Sequence, residues 1–188
     1  MLHLLAEIAE QVSNCSQCDL CQGRNKAVPG EGNPKAEIMF IGEAPGREED
    51  KQGRPFVGAA GKFLDEMLAS IGLKRADVYI TNLVKCRPPG NRDPLPAEIA
   101  ACHPYLAEQI KQIKPKLFVL LGRHAMGHFL GPKLKISQEH GKLKRVGDNY
   151  YFILYHPASA LYQNKLRDTH LADFKQIPLV LEKLKAIH

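Results

Sequence analysis

Four short apolar runs divide the chain, and stretches with helical spacing separate them. The runs are residues 36–41, 77–86 (DVYITNLVKC), 116–122 (KLFVLLG) and a last one at YYFILYHPAS. Before the first, Leu2, Leu5, Ile8 and Val12 recur at helical spacing. Between and after the runs, helices are expected over 61–71, from Pro96 through AEIAACHPYLAEQIKQI, over RHAMGHFLG and over 169–187. Pro104 is expected to bend the second of these, and Pro178 to interrupt the last. Residues 47–61 (REEDKQGRPFVGAAG) read as a loop. Regular alternation of strand and helix predicts an α/β sandwich with a mainly parallel central sheet of about four strands. In such sheets ligands bind beyond the carboxyl ends of the strands.

The chain has 188 residues, a size suited to one domain spanning 1–188. No apolar stretch approaches the ~20 residues needed to span a bilayer, so no membrane role is expected. The start, MLHLLAEIAEQ, carries two acids and no basic segment and does not read as a signal peptide. Lys and Arg exceed Asp and Glu by 26 to 20, which suits a polyanionic partner.

Five cysteines are present. Cys15 and Cys18 have two residues between them, while Cys86 and Cys102 follow at a distance. Four thiols of this kind can close one metal site, and their softness fits zinc or an iron–sulfur cluster. The second pair is spread over a strand end and a helix, which suits the larger cluster better. Cys21 is read as an unligated thiol.

The remaining signals sit at strand ends. Gly42-Glu43-Ala44-Pro45-Gly46 follows the first strand, with glycines that let a ligand approach the backbone. Phe56 is an apolar ring in a polar, Gly-rich segment, able to stack on a planar ligand. Asn82 ends the second strand and carries both donor and acceptor, as reading an amide-like edge requires. His156 ends the last strand. An acid, a ring, an amide and an imidazole at one sheet edge make a pocket for a flat heterocycle.

The segments GEAPGREEDKQGRPFVGAAGKFLDEML, YITNLVKCRPPGNRDPLPAE and YHPASAL resemble the thermostable, iron–sulfur-containing family 4 uracil-DNA glycosylases. The resemblance runs from Cys15 to the C-terminal helix. It implies a three-layer α/β/α sandwich and hydrolysis of the N-glycosidic bond of deoxyuridine in single- or double-stranded DNA. It implies a structural 4Fe–4S cluster on Cys15, Cys18, Cys86 and Cys102, with Cys21 outside the set. Phe56 matches the ring that stacks on the flipped base, Asn82 the reader of its Watson–Crick edge and His156 the imidazole facing uracil O2. Gly42, Ala44, Gly46 and Glu49 match further pocket positions, and Glu43 and Asn91 stand where a water must be positioned. The best-known uracil glycosylases carry an Asp in the first turn; here that turn reads Glu43-Ala44-Pro45, making Glu43 the expected base. Glu49 or the GEAPG turn is expected to exclude the thymine methyl. Leu161 is the expected wedge in DNA, with Lys85, Arg87, Arg92, Arg145, Lys165 and Arg167 on phosphates. A monomer acting in the cytoplasm, at the nucleoid, is expected.

Overall fold

The computed structural model describes residues 2–187. Met1 and His188, the ends of the expected 1–188 unit, lie outside the described residues, as does the Leu2 side chain. The elements run α1 (Leu2–Ser13), α2 (Leu20–Gly23), β1 (Glu31–Gly32), β2 (Ile38–Gly42), α3 (Arg47–Gln52), α4 (Ala59–Ser70) and β3 (Tyr79–Asn82). They continue with α5 (Pro96–Ile113), β4 (Leu117–Leu121), α6 (Arg123–Leu130), α7 (Ile136–Glu139), β5 (Leu143–Val146), β6 (Asn149–Leu154), α8 (Asn164–Phe174) and α9 (Ile177–Ile187).

One sheet orders these strands β1-β3-β2-β4-β6-β5. The four expected strands form its parallel centre, β3-β2-β4-β6, and are buried nearly throughout. Two antiparallel edge strands, β1 and β5, raise the count to six. Neither has an apolar signature: β1 is two residues long, and β5 (LKRV) is mostly exposed.

Side chains alternate across the sheet. Ile38, Phe40, Ile80, Val119 and Phe152 face a core completed by Phe63, Leu64 and Met67 of α4, Phe174 of α8 and Ile177 of α9. Met39, Ile41, Tyr79, Phe118, Leu120 and Tyr151 face the opposite core, closed by Leu106 and Ile113 of α5 and Ala125 of α6. The result is the three-layer sandwich expected from the alternation. Ile8 and Val12 seat α1 on α5 beside Tyr105.

One local expectation changes, and the interruption expected near Pro178 is present. Residues 47–52, read as loop, form α3: REEDKQ has no apolar period, but three acids in its first turn suit a helix N-terminus. Pro104 does not break α5, which runs unbroken from Pro96 to Ile113. Pro104 and Ala100, whose carbonyl loses its helical partner, both lie on the exposed face. The C-terminal segment is two helices, and Pro178 sits in the first turn of α9, where its missing N–H costs nothing.

Candidate active site

All four parallel strands end at one edge of the sheet. Chain order reverses there between β2 and β4, the crevice where such sheets bind ligands. Gly42 and Asn82 are paired in register on β2 and β3. Gly122, after β4, donates its N–H to Leu154 O of β6 at 2.8 Å, which brings the end of β4 beside His156. Glu43, Ala44, Gly46, Glu49, Phe56, Asn82, Asn91, Arg92 and His156 line one cleft together with Pro88 and Ala158. The sequence spread these residues over more than one hundred positions.

Asn82 is 1% exposed, and its Oδ1 has no hydrogen-bond partner. A buried, unpaired amide oxygen is costly, on the order of 1–3 kcal/mol, unless a ligand satisfies it. Gly42 is required beside it. A Cβ there would lie 2.4 Å from Asn82 Oδ1 and 2.7 Å from the Phe56 ring. Phe56 itself has a left-handed backbone (φ 51°), at a cost of about 1–2 kcal/mol. Two contacts hold it there. Gly61 packs so close that a Cβ would lie 1.7 Å from Phe56 O, and Arg75 Nη1 donates to that oxygen at 3.0 Å. Arg75 is held in turn by Glu31 (2.7 Å) and Asp65 (2.9 Å).

Glu49 organises the loop around Phe56. Its Oε1 accepts from Val57 N and Gly58 N, both at 2.9 Å, and its Oε2 from Gly46 N at 3.1 Å. With both oxygens engaged, the carboxylate ties the GEAPG turn to the start of α4.

His156 Nδ1 accepts the Ala158 N–H at 3.2 Å, so the neutral ring carries its proton on Nε2. Burial pushes its pKa down to about 4. Its ring lies 5.6 Å from Phe56. The backbone is fixed as well: His156 O accepts from Ser159 N (2.9 Å) and Ser159 Oγ (2.8 Å). Ser159 Oγ lies 2.9 Å from Nε2 of His170, another histidine that burial pushes down to about 4. Both histidines bind a proton near 6.5 when unfolded but only near 4 when folded. Their contribution to stability is therefore complete above pH 6.5 and lost as pH falls toward 4. The melting temperature is expected to drop between pH 7 and pH 5, before most carboxylates titrate. A flat or rising profile would contradict the neutral assignment.

Glu43 is half-buried, and burial raises its pKa; His124 opposes the shift and Asp93 adds to it. His124 Nε2 lies 3.8 Å from Glu43 Oε2 and 3.2 Å from Asp93 Oδ2, and Arg123 donates to Asp93 at 2.8 Å. Neither His124 nor Asp93 was singled out in the sequence. Asn91, with φ 55°, accepts from Arg87 Nε at 2.6 Å.

The basic residues divide. Arg92 forks onto Glu98 (2.9 and 2.6 Å) at the rim. Arg167 pairs with Glu66 and covers the Phe63 ring. Arg145, on the β5–β6 hairpin, is not part of the cleft lining. Lys165 is exposed. Lys85 overturns expectation: it is 1% exposed and cannot reach a phosphate. Its neighbours Val84 and Cys86 are buried too, because the segment turns inward under α5. Leu161 is 45% exposed at the end of the turn that starts at His156, and Tyr162 beside it is 86% exposed.

Cys15, Cys18, Cys86 and Cys102 line one hollow with Val12, Leu20 and Val84. Gln17 N–H, Arg24 Nη1–H and Lys85 N–H point to the sulfurs of Cys15 (3.5 Å), Cys86 (3.1 Å) and Cys102 (3.2 Å). Cys21 reaches the same hollow. Four soft donors, an apolar wall and N–H groups aimed at sulfur fit a thiolate-bound metal centre.

The profile of the uracil DNA glycosylase superfamily matches residues 29–177, and the chain belongs to that superfamily. A type-4 uracil-DNA glycosylase of Archaeoglobus fulgidus is 50% identical over 181 residues, spanning 92% of this chain and 91% of the relative. One from Sulfurisphaera tokodaii is 51% identical over 92% of this chain and 83% of its own length. One from Thermotoga maritima is 42% identical over 96% of both. Within the superfamily, this chain is a member of the type-4 group.

Proposed function

We propose that the cleft receives a deoxyuridine flipped out of DNA and hydrolyses its N-glycosidic bond, releasing uracil and leaving an abasic site for repair. The observation that carries this reading is the buried, unpaired Oδ1 of Asn82 at the base of a cleft walled by Phe56 and His156. Uracil presents N3–H as a donor and O4 as an acceptor. Asn82 Oδ1 takes the former and its Nδ2 donates to the latter, a match that cytosine lacks. Phe56 stacks on the ring. Only an extruded base can enter, at a cost of a few kcal/mol.

Bond cleavage places positive charge on the sugar and negative charge on the departing uracil. His156 Nε2–H donates to O2 where that charge develops. Glu43 orients a water toward C1′ and takes its proton, helped by Asn91; its burial-raised pKa suits a base. Glu49 and the GEAPG turn, both on the cleft wall, bar the thymine methyl. Leu161 fills the space the base leaves, and Arg87, Arg92 and Lys165 supply positive charge at the rim. The protein is proposed to act as a monomer. Among the described residues, no helix is long and apolar enough to cross a membrane.

Cys15, Cys18, Cys86 and Cys102 are proposed to hold a 4Fe–4S cluster, whose part is to tie the N-terminal segment to β3 and α5.

The reading is tested by incubating the protein with a duplex containing one U·G pair. An alkali-dependent strand break at the uracil is expected, with none in a T·A control. Tight binding without a break would favour a uracil-recognising protein without turnover.

A further inference from the structure

The fully buried Lys85 has no part in the mechanism above, yet it touches both halves of the machinery. Five residues, 82–86, lead from the proposed base reader to a proposed cluster ligand. Along them Leu83 N–H donates to Gly42 O at 3.0 Å and Val84 N–H to Glu43 O at 3.2 Å. Lys85 N–H points to Cys102 Sγ at 3.2 Å, and Lys85 O accepts from Val28 N at 2.7 Å. Its side chain then turns back. Nζ donates to Asn82 O at 2.9 Å, to Gln109 Oε1 at 2.9 Å and to Thr81 Oγ1. Three acceptors surround Nζ. Gln109 is anchored in its own right, donating to Pro29 O at 2.7 Å and Tyr79 Oη at 3.2 Å.

We infer that Lys85 is a positioning residue that couples the cysteine centre to base recognition. Its backbone is set by the segment bearing Cys86 and by the Cys102 sulfur, and its Nζ fixes the peptide of Asn82. Asn82 Oδ1 thereby meets the base in a set position. A lysine is otherwise costly in so dry a place, and a plain packing role would be met more cheaply by methionine or leucine. The centre accordingly does more than staple the N-terminus: it ends one residue from the group that holds the reader. This inference rests on the uracil reading given above.

The test compares wild type with Lys85→Met, and with Lys85→Met/Gln109→Leu, which also removes one of the three acceptors of Nζ. Bound iron and absorbance near 400 nm report the centre, affinity for abasic-site DNA reports the DNA-binding surface, and single-turnover release of uracil reports the pocket. Both variants are expected to keep their iron and their affinity for abasic DNA. Uracil release should slow about tenfold or more, the scale of loss when a reacting group is displaced by less than an ångström. Wild-type release rates in either variant would overturn the inference. Loss of iron from both variants would also overturn it, because Lys85 would then serve the centre alone. Failure of the wild type itself to release uracil would instead refute the underlying function.

Discussion

Replacing His156 with alanine is expected to slow single-turnover uracil release by about 10²–10³-fold, the usual cost of removing one donor aimed at a developing anion. The Ala158 N–H bond to Nδ1 leaves the proton on Nε2, and burial keeps the ring neutral down to about pH 4. The donor is thus in place throughout the neutral range without the cost of burying a charge. Affinity for abasic-site DNA should change little, because no uracil O2 is present there. Rapid-quench measurement of uracil release on a U·G duplex checks this. A variant within a few fold of wild type would show that another group carries the leaving uracil's charge.

Glu43→Gln carries the second large effect. The amide keeps the size and can still bond a water, but it cannot take the proton. General-base assistance is typically worth ~10²–10⁴-fold, and a loss of that order is expected in the chemical step alone. Glu43 is half-buried among His124, Asp93 and Arg123, and the raised pKa places its loss to protonation at a higher pH than an exposed glutamate would give. Activity of the wild type should fall on acidification as Glu43 protonates, and this limb should vanish from the residual activity of Glu43→Gln. Binding of uncleaved uracil-DNA should survive. Weakened binding with an intact chemical step would move Glu43 from catalysis to recognition.

The sequence carries the sandwich because its four central strands are buried on both faces and read as unbroken apolar runs. The edges carry no such mark: β5 is exposed and β1 is a two-residue bridge. Helix α3 escapes a periodicity test because its structure depends on the Glu49 carboxylate, which reaches across to α4. Gly42, Asn82 and His156 were legible as chemistry at strand ends, since parallel topology brings all such ends to one edge, and Phe56 as an apolar ring in a Gly-rich loop. Arg75, Asp93 and His124 were not. Each matters through partners on other elements, at distances that only the fold sets. Lys85 shows the opposite failure. A lysine in a basic stretch reads as a surface charge, and only the inward turn under α5 makes it an internal strut.

The central claim is that the unpaired Oδ1 of Asn82 reads the N3–H of a flipped uracil. It is tested most directly by measuring single-turnover excision of uracil and of N3-methyluracil from otherwise identical single-stranded oligonucleotides. Methylation removes the donor and sets a methyl group against a buried acceptor, while O2, O4 and the glycosidic bond remain. Sites built to bond one group reject analogues lacking it by up to about 10⁴–10⁵-fold. The expected result is rapid release of uracil and no detectable release of N3-methyluracil; release of both at similar rates would contradict the account.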